Sequence, residues 1–512
     1  MKEVGAVPTR VTTADVIAGV SVALIVIPQS LAYAGIAGVP AVVGLYAAAV
    51  PLIVFSIFAS SPYLQTGPVA MTALLTFGAL SAISTPFTAE YVALAALLAI
   101  VVGLFRAVFG AVRLGVVVYF MSRPVLVGFT TGAAILIISS QLPSALGASP
   151  PDGKLLERAW WAITHPGSWE VEAILFSLAT VAIVAVASKI NPLVPGVLIA
   201  VVGAILVSVA LGYDGNVVGE IPSGAPPFSL DLPWDQLTSL IIPGLVIALI
   251  GFAEPAAIAR IYAAQDRQRW NPDREFFASG TANVASGISG GFPVGGSFSR
   301  SSINRLAGAR TRWSGGITGL AVLLFLPVAG ILEPLPIAVL AAIVITAVIR
   351  LIRPSDIVAI YRKSWLQAGI AVTTLVATLV LAPRIDIAVV LGVGLAVGVH
   401  LVRELKVDVQ FEFRDETLRL APKGVMFFAS TPGLADALID HLADHPETTR
   451  LVIDLGGVGR IDYTGAEALQ ALVSDARAAG LEVECVAVPP HAQKLVASML
   501  STDPPLPGDE GD

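Results

Sequence analysis

The stretch 290-GGFPVGGSFSRSSINR-305 is rich in Gly and Ser, carries the cation Arg300, and lies between strongly apolar runs. Its glycines and proline interrupt what would otherwise be a continuous helix. An extended segment followed by a fresh helix starting near Ser297 exposes unpaired N–H groups and a positive dipole end, which attract anions. One such end contributes roughly 0.3–1 kcal/mol when exposed and up to about 2 kcal/mol when partly buried. Ser297 can cap that helix, and Arg300 adds a full charge within its first turn. A second stretch, 65-QTGPVAMT-72, has the same make-up. Its half-helix is expected to start near Pro68, whose missing N–H loses no bond at a first helical position.

The third chemical landmark is Glu254, a carboxylate deep inside 248-ALIGFAEPAAIARIY-262. Ionisable groups so placed line a pathway or relay protons. That run aligns with 23-ALIVIPQSLAYAGIA-37, so Gln29 falls opposite Glu254 with Pro28 and Pro255 beside them. Gly67 lies 38 residues beyond Gln29, and Gly296 lies 42 beyond Glu254. Two landmarks in register mark an internal repeat. Plainer roles stand beside these. Arg300 could snorkel from a helix end, Ser297, Ser299 and the glycines could serve close helix packing, and Glu254 could bond a facing helix break.

These residues need a membrane around them. The 512 residues are 55% hydrophobic and only 13% charged, with a mean hydropathy of +0.82, far from the roughly 25% charged of soluble domains. Near-20-residue apolar runs recur from Asp15 to about Val402, each long enough to cross a bilayer core as a helix. Period-2 alternation is absent there, which argues against a barrel. Residues 1–14 have no short apolar core with a cleavage site and read as a leader outside the membrane rather than a signal peptide. The single Cys485 offers neither a disulfide framework nor a cysteine metal site.

About fourteen spans are expected, centred near residues 26, 49, 76, 101, 135, 180, 203, 248, 283, 303, 323, 342, 373 and 394. With both termini in the cytoplasm, the inner loops collect cations that include Arg106, Arg113, Arg274, Arg312, Arg350 and Arg362, while the outer loops keep Lys154, Arg158 and Arg384. That asymmetry fits the positive-inside rule. The acidic loop 213–236 separates seven spans (15–212) from seven (237–403). Because seven is odd, homologous halves sit upside down relative to each other, as in many secondary transporters. The fold expected is an all-α polytopic membrane protein, an inverted repeat with two discontinuous helices. The irregular backbone must face protein or a cavity, because an unpaired group in lipid costs several kcal/mol.

Residues 1–403 hold 22 Lys+Arg against 18 Asp+Glu, whereas 404–512 hold 8 against 19. The tail is thus a separate, acidic, soluble unit. Alternation over 403–430 marks strands. The runs 425-VMFFAS-430, 450-RLVIDLGGVGRID-462 and 481-LEVECVAV-488 read as buried strands, and 464-TGAEALQALVSDARAAG-480 as an amphipathic helix started by Thr464 and closed by Gly480. A small α/β domain over 404–505 is expected, followed by a disordered 506–512.

The runs 28-PQSLAYAGIAGVPAVVGLYAAAVP-51, GPVA at 67–70 and SFSRSS at 297–302 resemble the sulfate permease family of anion transporters, also called solute carrier family 26. The resemblance implies fourteen spans in a core and a gate, with a cytoplasmic STAS domain behind. It also places Gln29, Tyr33, Val69, Ala70, Glu254, Phe298, Ser299 and Arg300 around a central anion; Gly67, Pro68, Gly296 and Ser297 join them as residues of the two helix breaks, and Glu254, a carboxylate able to take up a proton, is the candidate proton-coupling group. Val69 is smaller than the Phe of some members, which would suit a larger anion such as a dicarboxylate. Implied cargoes are sulfate, bicarbonate, chloride, oxalate or C4-dicarboxylates such as fumarate, moved by alternating access. Proton symport is favoured over sodium coupling, and a membrane-anchored anion sensor is the competing class. The tail resembles relatives of anti-sigma factor antagonists, with Thr464 at the phosphoacceptor place, though a plain helix cap fits it better. No cofactor, metal site, catalytic group or nucleic-acid surface is expected. A homodimer and a cytoplasmic partner of the tail are both compatible, and the expected location is the cytoplasmic membrane of a bacterium.

Overall fold

The computed structural model describes residues 10–115, 122–191, 193–404, 408–426 and 432–500. Most of the expected leader, part of the first tail strand (427–430) and the expected disordered end lie outside them. The chain divides into two compact units, residues 1–394 and 395–512.

The first unit is helical. It opens with α1 (Thr13–Ala37), α2 (Ala41–Phe58), the two-residue strand β1 (Thr66–Gly67), α3 (Ala70–Leu80), α4 (Ala89–Ala111) and α5 (Arg123–Leu146). The ten-residue α6 (Leu155–Thr164), α7 (Val171–Ile190) and α8 (Gly196–Leu211) complete the first half. The same succession then recurs. α9 (Leu237–Gln265) and α10 (Pro272–Ile288) lead into β2 (Gly295–Gly296), α11 (Phe298–Leu306), α12 (Trp313–Phe325) and α13 (Ile337–Val348). The ten-residue α14 (Pro354–Lys363), α15 (Trp365–Val380) and α16 (Ile385–Glu404) follow. Each half therefore has a two-residue strand at the third place and a short amphipathic helix between the fifth and sixth spans. Among the described residues nine helical stretches are long and apolar enough to cross a membrane, and Ala70–Leu80, Gly196–Leu211 and Trp365–Val380 are shorter apolar helices. The more polar α10 and α11 occupy the remaining two of the fourteen expected places.

Local chemistry explains the ends that matter. Thr12 and Asp15 form a reciprocal capping box at the start of α1, and Gly38 closes it in the left-handed conformation. Pro28 in α1 and Pro255 in α9 each remove one ladder bond in mid-helix, beside Gln29 and Glu254. α4 and α10 approach backbone to backbone. A Cβ on Gly103 would lie 2.5 Å from the Val284 nitrogen, and one on Gly110 would lie 2.5 Å from that of Phe277. Without a hydrophobic drive between helices in lipid, such small-residue contact is how spans hold together.

The second unit packs β3 (Asp408–Arg414), β4 (Thr417–Met426), α17 (Pro432–Asp444), β5 (Arg450–Asp454), β6 (Val458–Ile461), α18 (Tyr463–Ala478), β7 (Glu482–Val486) and α19 (Gln493–Leu500). Its sheet runs β3-β4-β5-β7, with β6 pairing the far end of β4. β3 and β4 are antiparallel, and the other pairings are parallel. Its core is its own, built on Leu418, Leu420, Leu451, Ile453, Leu469 and Val473. Thr464 does not start α18. Asp462 is the cap, accepting from the Gly465 N–H at 2.7 Å and from the Thr464 hydroxyl at 2.9 Å. A carboxylate one residue before the first turn is the better acceptor for orphan N–H groups.

Candidate anion-binding site

The two interrupted stretches meet. β1 and β2 pair antiparallel, Thr66 opposite Gly296 and Gly67 opposite Gly295. The Thr66 hydroxyl donates to the Gly295 carbonyl at 3.2 Å, and the Ser297 N–H to the Gln65 carbonyl at 3.0 Å. This ladder satisfies backbone groups that lipid could not, so the breaks cost little. It also demands bare backbone: a Cβ on Gly296 would lie 2.9 Å from Pro255 and 3.0 Å from Leu64. Gly67 adopts φ +135°, which side chains disfavour.

From this ladder two half-helices start. α11 begins at Phe298 and is capped by Ser297, whose hydroxyl accepts from the Arg300 N–H at 3.4 Å. α3 begins at Ala70 with an extended Val69 as its cap residue and no side-chain cap, leaving its first-turn amides to solvent or a ligand. Pro68 is thus not the first helical residue. Its carbonyl turns away from the helix to accept Arg300 Nη1 at 2.7 Å, which delays the helix by two residues.

The two ends are unequal. The Phe298 N–H, first of α11, is directed at the Glu254 carboxylate on α9, and Arg300 lies within electrostatic range of the same carboxylate. Arg300 does not snorkel. It is wholly buried, and its Nε and Nη2 have no hydrogen-bond partner among the described residues. A Cβ on Gly67 would lie 3.5 Å from that Nη2, so the missing side chain keeps the approach to the guanidinium open. Tyr33 of α1 feels the charges of both Arg300 and Glu254. Gln29 lies one turn earlier on α1, and both side chains are buried. Val69 packs toward Gly295. Ser299 is exposed, and so is Phe298, whose ring stacks on Tyr262 with centroids 6.4 Å apart. The arrangement offers a carboxylate that competes with an external anion for one helix end, beside a second, uncapped end and two unengaged guanidinium donors.

Several residues that build this place were not singled out in the sequence. Arg106, assigned above to an inner loop, lies within α4 and is wholly buried. Its signal was available: a cation well inside the apolar run 99-AIVVGLFRAVFG-110. Asn283 clamps the residue before β2, accepting from the Val294 N–H at 2.9 Å and donating to the Val294 carbonyl at 3.1 Å. Gln65 is wholly buried, and among the described residues neither of its amide atoms nor Asn304 Oδ1 has a hydrogen-bond partner. Buried Glu275 holds the turn before β1, accepting from the Ser60 and Ser61 N–H groups and the Trp270 indole. Among the described residues no group of three or more His, Cys, Asp or Glu could hold a metal ion.

Comparison with known proteins gives the family and the fold. Residues 13–374 match the family described as "Sulfate permease family", and 409–500 match "Mlab, STAS domain". The chain is 35% identical over 392 residues to the "Probable sulfate transporter MT1781" of Mycobacterium tuberculosis, covering 75% of this chain and 68% of that protein. The murine solute carrier 26 family member A9 anion transporter has the same fold, with a TM-score of 0.87 at 20% identity over 96% of this chain and 88% of the other. The transmembrane domain of the cyanobacterial bicarbonate transporter BicA superposes with a TM-score of 0.62 at 26% identity, covering 76% and 98%.

Proposed function

This chain belongs to the sulfate permease family of anion transporters, and we propose that it carries sulfate, bicarbonate or a C4-dicarboxylate such as fumarate across the cytoplasmic membrane by alternating access, with a proton on Glu254 as coupling ion. The observation that supports the reading is the meeting of the two helix breaks at a buried Arg300 whose Nε and Nη2 have no partner among the described residues, with Glu254 within electrostatic range of it. While Glu254 is ionised, it occupies the positive end of α11 and screens Arg300. A proton arriving on the carboxylate removes that competitor, and the helix end and the Arg300 Nη2 and Nε donors turn to the anion. Loading of proton and anion is then mutually reinforcing, the condition for symport. A free amide end and the Arg300 Nε and Nη2 donors suit a small oxyanion, which supports the named cargoes as a class.

The family name and the printed name of the mycobacterial relative put sulfate first among them. The charge asymmetry of the loops supports a cytoplasmic tail unit, which would contact partners or a second copy of the chain rather than perform chemistry. Uptake of labelled sulfate, bicarbonate and fumarate into proteoliposomes, under an imposed pH or sodium gradient, tests the whole. Saturable sulfate uptake driven by an inward proton gradient is expected. Uptake driven by sodium alone would overturn the proton reading, and absence of flux for every anion would favour an anion sensor.

A further inference from the structure

We infer that Arg106 is a second cationic element of the anion site: a positioning residue that fixes the lead-in to α11 and whose uncompensated charge selects for divalent over monovalent anions. The inference rests on the anion-transport reading above. Arg106 Nε donates to the Ala248 carbonyl at 3.0 Å and Nη2 to the Ile247 carbonyl at 3.0 Å, both on α9. Nη1 donates to the Ser279 hydroxyl of α10 and to the Val294 carbonyl, each at 2.9 Å. One planar fork thus ties α4 to the helix that carries Glu254, to α10, and to the residue before β2. Val294 is the hinge of this set, because Asn283 grips the same peptide from α10. The pairing of Gly295 with Gly67, and so the placing of Ser297 and Phe298, follows from where Val294 is held.

Gly251 shows how closely the guanidinium is fitted. A Cβ there would collide with Arg106 Nη2, and its next contact would be Thr72 Cγ2 at 3.0 Å. A Cβ on Gly295 would meet Val69 Cγ2 at 3.0 Å and Thr72 Cγ2 at 3.3 Å. The guanidinium therefore stands just behind the first turn of α3, and Gly251 lies one turn before Glu254 on α9. All its acceptors are neutral carbonyls and a hydroxyl; no carboxylate faces it among the described residues. A buried cation compensated only by dipoles is costly, and an anion on the other side of this thin Gly251–Gly295 layer offsets that cost. The offset grows with the anion's charge, so a dianion such as sulfate gains more from Arg106 than a monoanion such as bicarbonate.

The test compares R106Q, R106K and G251A with the wild type in proteoliposomes, reading KM and maximal rate for sulfate and for bicarbonate, together with the sulfate-induced rise in melting temperature of the purified protein. R106Q should raise the sulfate KM about tenfold, raise the bicarbonate KM severalfold less, and shrink the sulfate-induced stabilisation; R106K should fall between. G251A displaces the guanidinium without removing it and should shift the sulfate-to-bicarbonate KM ratio in the same direction, with no further loss when combined with R106Q. Equal losses for both anions, an unchanged KM ratio, or failure of both R106Q and G251A to fold would leave Arg106 a scaffold residue and overturn the inference. Wild-type flux, measured in the same vesicles, tests the transport reading separately.

Discussion

Arg300, on the half-helix of the second repeat, donates from Nη1 to the carbonyl of Pro68, on the lead-in to the half-helix of the first, at 2.7 Å. One side chain thus ties the two broken elements together while keeping two other donors unengaged. Removing it takes away both functions. R300A should lower anion affinity about 10- to 100-fold, the equivalent of roughly 1.5–3 kcal/mol for hydrogen bonds to a charged group. R300K keeps the charge but cannot serve Pro68 and an anion from one planar fork, so it should lie between. Sulfate-concentration dependence of uptake reads both, and an unchanged KM in R300A would remove Arg300 from the site.

Glu254 faces the Phe298 N–H at the start of α11, and its glutamine analogue keeps an acceptor oxygen there but cannot carry a proton. E254Q should therefore abolish the dependence of net uptake on an imposed pH gradient while sparing counterflow exchange of labelled for unlabelled anion. Gradient-driven uptake at the wild-type rate in E254Q would exclude this carboxylate as the coupling group.

Gly67 combines φ +135° with its place before Arg300 Nη2. A methyl group there adds strain of about 1–3 kcal/mol and stands 3.5 Å from the guanidinium. G67A should lose both stability and anion affinity, whereas Gly212, also at positive φ but in open surroundings, should tolerate Ala with a stability cost alone. Paired melting and uptake measurements separate the two; equal affinity in G67A and G212A would contradict the role given to Gly67.

Much of this organisation was legible in the sequence because membranes enforce strong rules. Helices stand at all fourteen expected centres, and the Gln29/Glu254 and Gly67/Gly296 landmarks mark the same elements in both halves. What was not legible depends on which partner a buried polar group finds across the fold. Arg106 read as a loop cation because only three-dimensional packing against α9 and α10 brings four acceptors to it. Pro68 read as a helix start because local propensity says nothing of a carbonyl drawn aside by Arg300, 232 residues away. Thr464 read as a cap, yet the neighbouring Asp462 is the stronger acceptor.

Asp15 is a contrast to the site residues. Wholly buried at the start of α1, it accepts from the Arg310 and Thr311 N–H groups at 2.8 Å each and from the Thr311 hydroxyl at 3.0 Å, besides capping its own helix. D15A strands these donors and should cost about 3 kcal/mol or more of stability, since each unsatisfied buried group costs about 1–3 kcal/mol. The anion KM of the surviving protein should not change; a selective rise in KM would show that α1 and the α11–α12 link belong to the transport cycle.

In the tail unit, D462A should lower stability by about 1 kcal/mol through loss of the α18 cap, and T464V by less. Thermal unfolding of the full chain, followed by a probe in 432–500, distinguishes them. A larger loss in T464V would return the capping role to the threonine.

Anomalous scattering from crystals soaked in selenate locates the anion relative to the two half-helix ends most directly. The predicted result is a peak between the first turns of α3 and α11, within hydrogen-bond distance of Arg300 Nη2 and absent from R300A. A selenate peak remote from both half-helix ends, or one that persists unchanged in R300A, would contradict the account.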